Sequence, residues 1–226
     1  MSNQPHTSSQ SVLFSADVIM REVGKLIQYL NCSVFGYGKI GSSIAYHLML
    51  RGVKPNVFDT DPIRRLKAFN QLCAVPDRKT ILQNSDVIFC ATGNHTLNIN
   101  DFRELKPGCF VFSVTSSDDE MNLTFLDGEY GAEEVAEHIT KYSSFNNFFY
   151  LVNKGKAVNF IHNAVLGDFI HLVRGEMVYA LKPLLSANPQ PGMHELTTDQ
   201  RRDVAAVWSR AFIDDKALFT DISSTL

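Results

Sequence analysis

The sequence predicts an α/β protein built on a doubly wound parallel sheet, and three observations carry that prediction. Short apolar runs alternate with stretches of helical periodicity, which is typical of parallel strands joined by crossover helices. Two of these runs, 86–91 and 109–114, are almost continuously apolar, as expected of strands buried on both faces. A glycine-rich turn follows the first run. Together they favour a Rossmann-type sheet, with a hairpin and helices toward the C-terminal end.

The elements of the first half follow from periodicity and turn residues. Residues 1–10 are polar and are predicted to form a disordered tail. Apolar residues at helical spacing predict a helix from Ser15 to Leu30. The first two strands are predicted to end at Phe35 and Asp59. The other predicted elements are helices at 62–70, 77–83 and 100–105 and strands at 72–75, 86–91 and 109–114.

The pattern changes from Glu134 onward. A long amphipathic helix is predicted from Leu166 to Leu185, and Thr197 with Gln200 forms a capping box for a last helix. The strands predicted before that helix lie at 135–142, 148–152 and 157–160, with a turn at 153–156. The predicted organisation is a tail at 1–10, a Rossmann-type domain at 11–186 and a helical extension at 187–226.

The first strand leads into the turn Gly36-Tyr37-Gly38-Lys39-Ile40-Gly41, which has the spacing GxGxxG. Gly36 allows the tight turn, Gly38 leaves room for a pyrophosphate, and Gly41 lets the helix pack closely on the strand. The N-terminus of the following helix would present N–H groups and its positive dipole end to phosphates. In this strand–turn–helix context, the pattern predicts a dinucleotide site.

Asp59 closes the second strand about 20 residues after the turn, where an acid hydrogen-bonds the adenosine ribose. A carboxylate there repels a 2′-phosphate, so the predicted cofactor is NAD and not NADP. The alternative is that Asp59 only caps the next helix. Asp61 and Pro62 weaken that alternative, because they already supply an N-cap and an N1 proline.

Composition excludes several classes of protein. The formal net charge is −3, the pI is near 6.1, and no basic run suggests nucleic acid or an anionic membrane. No apolar run approaches the roughly 18 residues of a membrane span, and the N-terminus does not resemble a signal peptide. The four cysteines, Cys32, Cys73, Cys90 and Cys109, show neither CxxC nor metal-site spacing. This predicts reduced thiols in the cytoplasm and no metal site.

The order of segments resembles the NAD-binding domain of the S-adenosylhomocysteine hydrolase family. The likeness runs from about Ser15 to Gln200. The matching pieces are Ala16-Asp17-Val18-Ile19-Met20, Gly36-Tyr37-Gly38-Lys39-Ile40-Gly41, Asp59-Thr60-Asp61-Pro62-Ile63, Ala91-Thr92-Gly93-Asn94 and Gly155-Lys156-Ala157-Val158-Asn159.

The resemblance implies roles for the matched residues. Asp59 would hold the adenosine ribose, Thr92-Gly93-Asn94 would line the cofactor, and Asn159 would hydrogen-bond the nicotinamide carboxamide. From the residues alone, Asn159 is better interpreted as a hairpin asparagine that satisfies local backbone groups. The resemblance reverses that preference.

The sequence also departs from the family. The 226 residues show no counterpart of the substrate-binding domain that precedes this region in the hydrolase. Thr115-Ser116-Ser117-Asp118 stands where the family has Gly-His-Phe-Asp, and Val165-Leu166-Gly167 where it has Gly-His-Pro. Two histidines near the nicotinamide are thereby lost, and 214–226 does not match the arm that reaches a neighbouring subunit's cofactor. We expect no complete hydrolase site in this chain.

His162 and Asp118 are the weak candidates for replacement catalytic chemistry. His162 follows Asn159 closely and could act as an acid or base beside the nicotinamide. Asp118 follows a strand whose end is expected to face the cofactor. The alternative for His162 is a histidine packed at the end of a strand, and the alternative for Asp118 is a place in a solvated acidic loop.

The leading hypothesis is an NAD-binding or regulatory module that associates as a homo-dimer or with a partner subunit. One alternative is an NAD-dependent oxidoreductase acting on a small alcohol or carbonyl compound. Another is a scaffold that kept the fold without the cofactor. The fold alone does not choose among these hypotheses.

Overall fold

The computed structural model describes residues 7–115, 121, 123–159, 161, 168–186, 192 and 194–213. Its helices are α1 (Thr7–Glu22), α2 (Lys39–Leu50), α3 (Pro62–Asn70), α4 (Arg78–Asn84), α5 (Ile99–Glu104), α6 (Leu126–Glu129), α7 (Phe169–Ser186) and α8 (Thr198–Phe212). Its strands are β1 (Cys32–Phe35), β2 (Asn56–Phe58), β3 (Val87–Cys90), β4 (Cys109–Ser113), β5 (Gly131–Ala136), β6 (Ile139–Ser143) and β7 (Phe148–Val152).

The strands form a single seven-stranded sheet in the order β2-β1-β3-β4-β7-β6-β5. The first five strands in this order pair in parallel, whereas β6 runs antiparallel to both of its neighbours. This confirms the predicted α/β fold, a mostly parallel sheet of the Rossmann type with helices.

Two apolar cores lie on opposite faces of the sheet. On one face, side chains of α1 and α2 such as Leu13 and Ile44 join Phe89 and other inward residues of the strands. On the other face, Phe102 of α5 packs with Phe149 and with side chains of α4 and α6. The alternating strand residues therefore fill both cores, which explains why β3 and β4 are buried along their whole length and almost entirely apolar.

Local signals set the ends of several helices. Asp61 accepts a hydrogen bond from the Ile63 N–H, and Pro62 occupies the first position of α3, as predicted. Thr197 and Gln200 form the predicted capping box of α8. Each of these side chains satisfies a backbone group that the helix itself leaves without a partner.

The structure corrects the prediction of a single strand over 135–142. The chain instead forms the hairpin of β5 and β6, which turns at His138 with φ of +64°. Glu137 and His138 gave no turn signal, because tight hairpin turns are normally marked by glycine, asparagine or aspartate.

Other bounds also differ from the prediction. The first helix begins at Thr7 and not at Ser15, so 7–10 of the predicted tail are helical. The strand predicted at 72–75 reduces to a single bridge of Ala74 with Asn56. In the described part of the strand predicted at 157–160, which is 157–159, one bridge joins Ala157 to Ser113. Leu72 cannot continue a strand, because its φ is +65°.

The described residues fall into two compact units, one up to residue 161 and one from residue 168. The second unit is the helical pair α7 and α8. Gly175 brings the two helices close, because a Cβ there would lie 3.0 Å from Val204 Cγ1. The Trp208 indole N–H donates to the Asp168 carbonyl over 2.8 Å and ties the end of α8 to the start of α7.

Candidate functional site

The carboxyl ends of the parallel strands place the predicted site residues along one edge of the sheet. Gly36 follows β1, Asp59 follows β2, and Ala91 leads from β3 into the Thr92 turn. The chain passes from β1 to β2 on one side and to β3 on the other. The order of the strands therefore reverses at β1, where open α/β sheets bind their ligands.

The glycine turn requires glycine at its first and last positions. Gly36 has φ of +90°, and its N–H donates to the Phe58 carbonyl over 2.8 Å. A Cβ on Gly36 would lie 2.7 Å from the Ala91 carbonyl oxygen. A Cβ on Gly41 would overlap the Gly36 carbonyl oxygen and lie 3.2 Å from Val34 Cγ1. Both glycines thus allow β1, β3 and α2 to approach closely.

Gly38 differs, because space surrounds it. It is the N-cap of α2, and an ideal Cβ there meets no atom of the described residues within 4 Å. No side chain caps this helix end among those described. Lys39, the first residue of the helix, is exposed beside it. The positive end of the α2 dipole therefore faces an open space that could hold a phosphate group.

Asp59 is buried, with only 6% of its surface exposed, and its carboxylate is tied to the glycine turn. The Tyr37 N–H donates to Oδ2 over 2.6 Å, and the Asp61 N–H donates to Oδ1 over 2.9 Å. Arg64 Nη1 lies 3.6 Å from Oδ2. Asp59 does not cap α3, since Asp61 does so. Its two oxygens offer about four lone pairs in total, so acceptor capacity remains.

Tyr37 contributes its backbone to this edge, because its side chain lies in the core. The ring is buried and its hydroxyl donates to Gln71 Oε1 over 2.6 Å. Burial, together with the nearby Cys73 thiol, raises the pKa of Tyr37 above its usual value. Ile40 likewise packs against the core. Their side chains are accordingly structural parts of the turn.

The Thr92-Gly93-Asn94 turn lies next to the glycine turn. Thr92 Cγ2 is 3.0 Å from the point where a Cβ on Gly36 would lie. Thr92 Oγ1 donates to the Asn94 carbonyl over 2.8 Å, and Gly93 has φ of +76°. All three residues are exposed. Their polar groups line the open edge between β1 and β3.

Asn159 lies beyond the end of β4. The bridge of Ala157 with Ser113, and the Val158 N–H that donates to the Ser113 carbonyl over 3.1 Å, hold this segment there. The Asn159 carbonyl accepts from the Ser11 hydroxyl. Its side-chain Oδ1 is buried and has no hydrogen-bond partner among the described residues. Buried polar atoms are normally hydrogen-bonded, so this amide oxygen is expected to have a partner.

Asn153 is the asparagine that binds a local backbone group at the neighbouring turn. The Asn153 side chain donates to the Ala157 carbonyl over 2.9 Å and closes the turn after β7. Ser113 Oγ is a second buried polar atom without a partner in the described part of the chain, and it ends β4. Ser113 is not among the predicted site residues, although a serine that closes an apolar strand was a usable signal.

The predicted catalytic candidates His162 and Asp118 lie outside the described residues. His138 lies in the β5–β6 turn, and His171 belongs to α7. Within the described ranges, no group of three or more His, Cys, Asp or Glu side chains could hold a metal ion. All four cysteines are buried and lie outside any disulfide, and burial raises the pKa of Cys32 to about 12.

Residues 7–165 match the family model described as "S-adenosyl-L-homocysteine hydrolase, NAD binding domain". Among curated proteins, an adenosylhomocysteinase of Aeropyrum pernix is 27% identical over 152 residues, which cover 65% of this chain and 36% of that protein. An S-inosyl-L-homocysteine hydrolase of Methanothermobacter thermautotrophicus is 28% identical over 192 residues, covering 79% and 44%. The chain thus spans less than half the length of these relatives.

Solved structures show a more distant similarity. A D-lactate dehydrogenase of Treponema pallidum gives a TM-score of 0.47 at 19% identity, covering 56% of this chain and 46% of that one. Similarity at this level is too weak to bear on function. Separately, none of the helices in the described part of the chain has both the length and the apolar character needed to cross a bilayer.

Proposed function

Because the chain belongs to the S-adenosyl-L-homocysteine hydrolase family through that family's NAD-binding domain, we propose that it holds NAD across the carboxyl edge of its parallel strands. The observation that carries the proposal is the glycine turn. A Cβ on Gly36 or Gly41 would overlap neighbouring backbone atoms, whereas the space at the Cβ position of Gly38, in front of α2, is open. That contrast supports Gly38 as the glycine that faces the pyrophosphate.

The two ends of the cofactor would lie on either side of this turn. Asp59 follows β2 and would accept hydrogen bonds from the adenosine ribose. Thr92, Gly93 and Asn94 would line the middle of the site. Ala157 pairs with the end of β4 on the side away from β3, so the segment of Asn159 lies four strand positions from Asp59, roughly 19 Å at the usual strand spacing. Asn159 would bind the nicotinamide carboxamide.

The Oδ1 of Asn159, which has no partner among the described residues, supports the proposed role of this side chain at the nicotinamide end. A carboxamide N–H donor would satisfy that oxygen and remove the cost of leaving it buried without a partner. We expect Asn159→Leu to weaken NAD by about tenfold, the usual effect of one lost hydrogen bond. ADP-ribose, which has no nicotinamide, should bind the variant and the unmodified protein equally. If calorimetry shows that the variant loses as much affinity for ADP-ribose as for NAD, Asn159 does not bind the nicotinamide.

The proposed function is tested first on the purified protein. Mass spectrometry and absorbance after denaturation would identify any cofactor that copurifies, and titration with NAD and NADP would measure both affinities. NAD should bind and NADP should bind more weakly. A protein that binds neither cofactor would refute the proposal.

We further propose that the chain acts in the cytoplasm and associates with a second copy or a partner subunit. The four reduced, buried cysteines support a reducing compartment. Association is supported by exposed apolar side chains in α3 and just after it, with Ile63 at 74% and Leu72 at 77% exposure. Light scattering over a range of protein concentrations would detect a dimer, and a monomer at all concentrations would contradict self-association.

The oxidoreductase hypothesis gains no specific support from the described residues. Its candidate acid–base groups, His162 and Asp118, lie outside them. The binding function is therefore the better supported conclusion.

A further inference from the structure

Arg78, the first residue of α4, lies against the strand ends that carry the candidate site. Its guanidinium carbon is 4.9 Å from the ring centre of Phe35, which precedes Gly36. It is also 5.7 Å from the ring centre of Phe58, which precedes Asp59. Cation–π contacts of this kind favour a fixed position for the guanidinium.

Asp101 of α5 holds the same guanidinium in a two-bond arrangement. Arg78 Nε donates to Oδ1 over 2.9 Å and Nη2 donates to Oδ2 over 2.7 Å. The Asp101 side chain is only 8% exposed, and it also accepts the Asn98 N–H at the start of α5. Bidentate pairs of this kind are strong and geometrically specific. The Arg78 guanidinium is therefore held by α5 as well as by its own helix.

A third bond connects the pair to the cofactor side of the site. Arg78 Nη2 donates to the Thr96 carbonyl, and Thr96 Oγ1 lies 2.6 Å from Thr92 Oγ1. Thr92 in turn donates to the Asn94 carbonyl. A continuous set of hydrogen bonds thus runs from Asp101 through Arg78 and Thr96 to the Thr92-Gly93-Asn94 turn.

This turn lies at the surface. Its residues are exposed, Gly93 has φ of +76°, and a Cβ on Gly93 would meet no described atom within 4 Å. Such a turn has many accessible conformations unless other groups fix it. Ordering it when the ligand arrives would weaken binding, whereas a turn that is already fixed avoids that loss.

We propose that Arg78 is a positioning residue, held by Asp101, that fixes the Thr92-Gly93-Asn94 turn in the geometry that receives NAD. The inference rests on the proposed function, since it assumes that this turn contacts the cofactor. Arg78 acts through Thr96 and needs no contact with the cofactor itself.

Three variants separate this role from a general effect on folding. Arg78→Lys keeps the charge, but an ammonium cannot reproduce the planar fork that joins Asp101 and Thr96. Asp101→Asn keeps the size of the side chain and removes its charge. The matched control is Arg103→Lys, because Arg103 makes a similar bidentate pair with Glu129, at 3.1 and 2.6 Å. Within the described residues, the hydrogen bonds of that pair do not reach the turn.

Each variant is compared with the unmodified protein in three measurements: its unfolding midpoint, its NAD affinity well below that midpoint, and the hydrogen exchange of the amides over 92–96. We expect Arg78→Lys and Asp101→Asn each to weaken NAD by about tenfold, which corresponds to the loss of one charge-assisted hydrogen bond. Exchange in the turn should become faster in both variants. Arg103→Lys should change neither the NAD affinity nor the amide exchange over 92–96, even if its unfolding midpoint falls.

Asp101→Asn also tests an electrostatic explanation. If the charge of Arg78 acted directly on the phosphates, removing the neighbouring carboxylate would leave NAD bound as tightly or more tightly. That result would overturn the positioning role, as would unchanged NAD affinity in Arg78→Lys. If the unmodified protein binds NAD and the Arg78 and Asp101 variants bind it with the same affinity, only this inference fails. If the unmodified protein binds no NAD, the proposed function fails and this inference with it.

Discussion

At the scale of single residues, Asp59 combines a structural and a proposed binding role. Its carboxylate receives the backbone N–H groups of Tyr37 and Asp61, so it shapes the glycine turn before any ligand is present. The sequence predicted the acid and its place at the end of β2. It could not predict the bond from the Tyr37 N–H, because that bond depends on the pairing of β1 with β2.

Asp59→Asn tests the binding role with least damage to the turn. The amide oxygen can still accept one N–H, but the charge that opposes a 2′-phosphate is gone. We expect the preference for NAD over NADP to narrow by about tenfold, or roughly 1.4 kcal/mol. The control is Asp61→Asn, at the exposed N-cap of α3, which should leave the preference unchanged. Titrations with both nucleotides measure the ratio, and an unaltered ratio in Asp59→Asn would remove Asp59 from the site.

Asp59→Ala is a harsher change. It leaves two backbone donors without their acceptor and should lower the free energy of unfolding by about 1–3 kcal/mol. The asparagine variant is therefore the better probe of binding.

At the scale of elements, prediction succeeded where local chemistry decides a boundary. The bounds of α3 agree with the prediction because Asp61 and Pro62 mark its start. Prediction failed where tertiary pairing overrides weak local signals. The β5–β6 hairpin turns at His138 without a glycine, and Ala74 makes only one bridge because Leu72 turns the chain away. Such turns are stabilised by the neighbouring strands and not by their own residues.

The close packing of α2 on β1 gives a prediction at this scale. Gly41→Ala should lower the free energy of unfolding by about 1–3 kcal/mol, because the added methyl group overlaps the Gly36 carbonyl. Gly128→Ala is the control, since a Cβ at Gly128 meets no described atom within 4 Å. Urea denaturation of both variants measures the difference. Equal stability would show that α2 lies farther from β1 than described.

At the scale of the whole molecule, the candidate site is assembled from distant parts of the chain. Sequence motifs predicted the glycine turn and Asp59, and the family resemblance implied the Thr92 turn and Asn159. The shared edge of the sheet follows from parallel pairing. Arg78 and Asp101 were not predicted, because an arginine and an aspartate 23 positions apart carry no pairing signal. Only the packing of α4 beside α5 brings them together. The predicted domain boundary at 186 stays a prediction.

The family relationship also gives a prediction about activity. We expect the 226-residue chain, loaded with NAD, to release no adenosine from S-adenosylhomocysteine above the blank. Thr115-Ser116-Ser117-Asp118 and Val165-Leu166-Gly167 replace segments with histidines in the family, and each general acid or base typically contributes about 10²–10⁴-fold. Chromatography of the incubated mixture measures adenosine. Release at an enzyme-like rate that His162→Ala abolishes would instead support a catalytic role for His162.

The central claim is that NAD lies over Gly38 at the N-terminus of α2. The most direct measurement is a calorimetric titration of NAD into Gly38→Val, with Gly128→Val as the matched control, since both glycines have open space at the Cβ position. We predict that Gly38→Val loses measurable NAD binding while its free energy of unfolding falls by no more than about 1 kcal/mol, the cost of a poorer N-cap. Gly128→Val should bind NAD like the unmodified protein. Full NAD affinity in Gly38→Val would contradict the account.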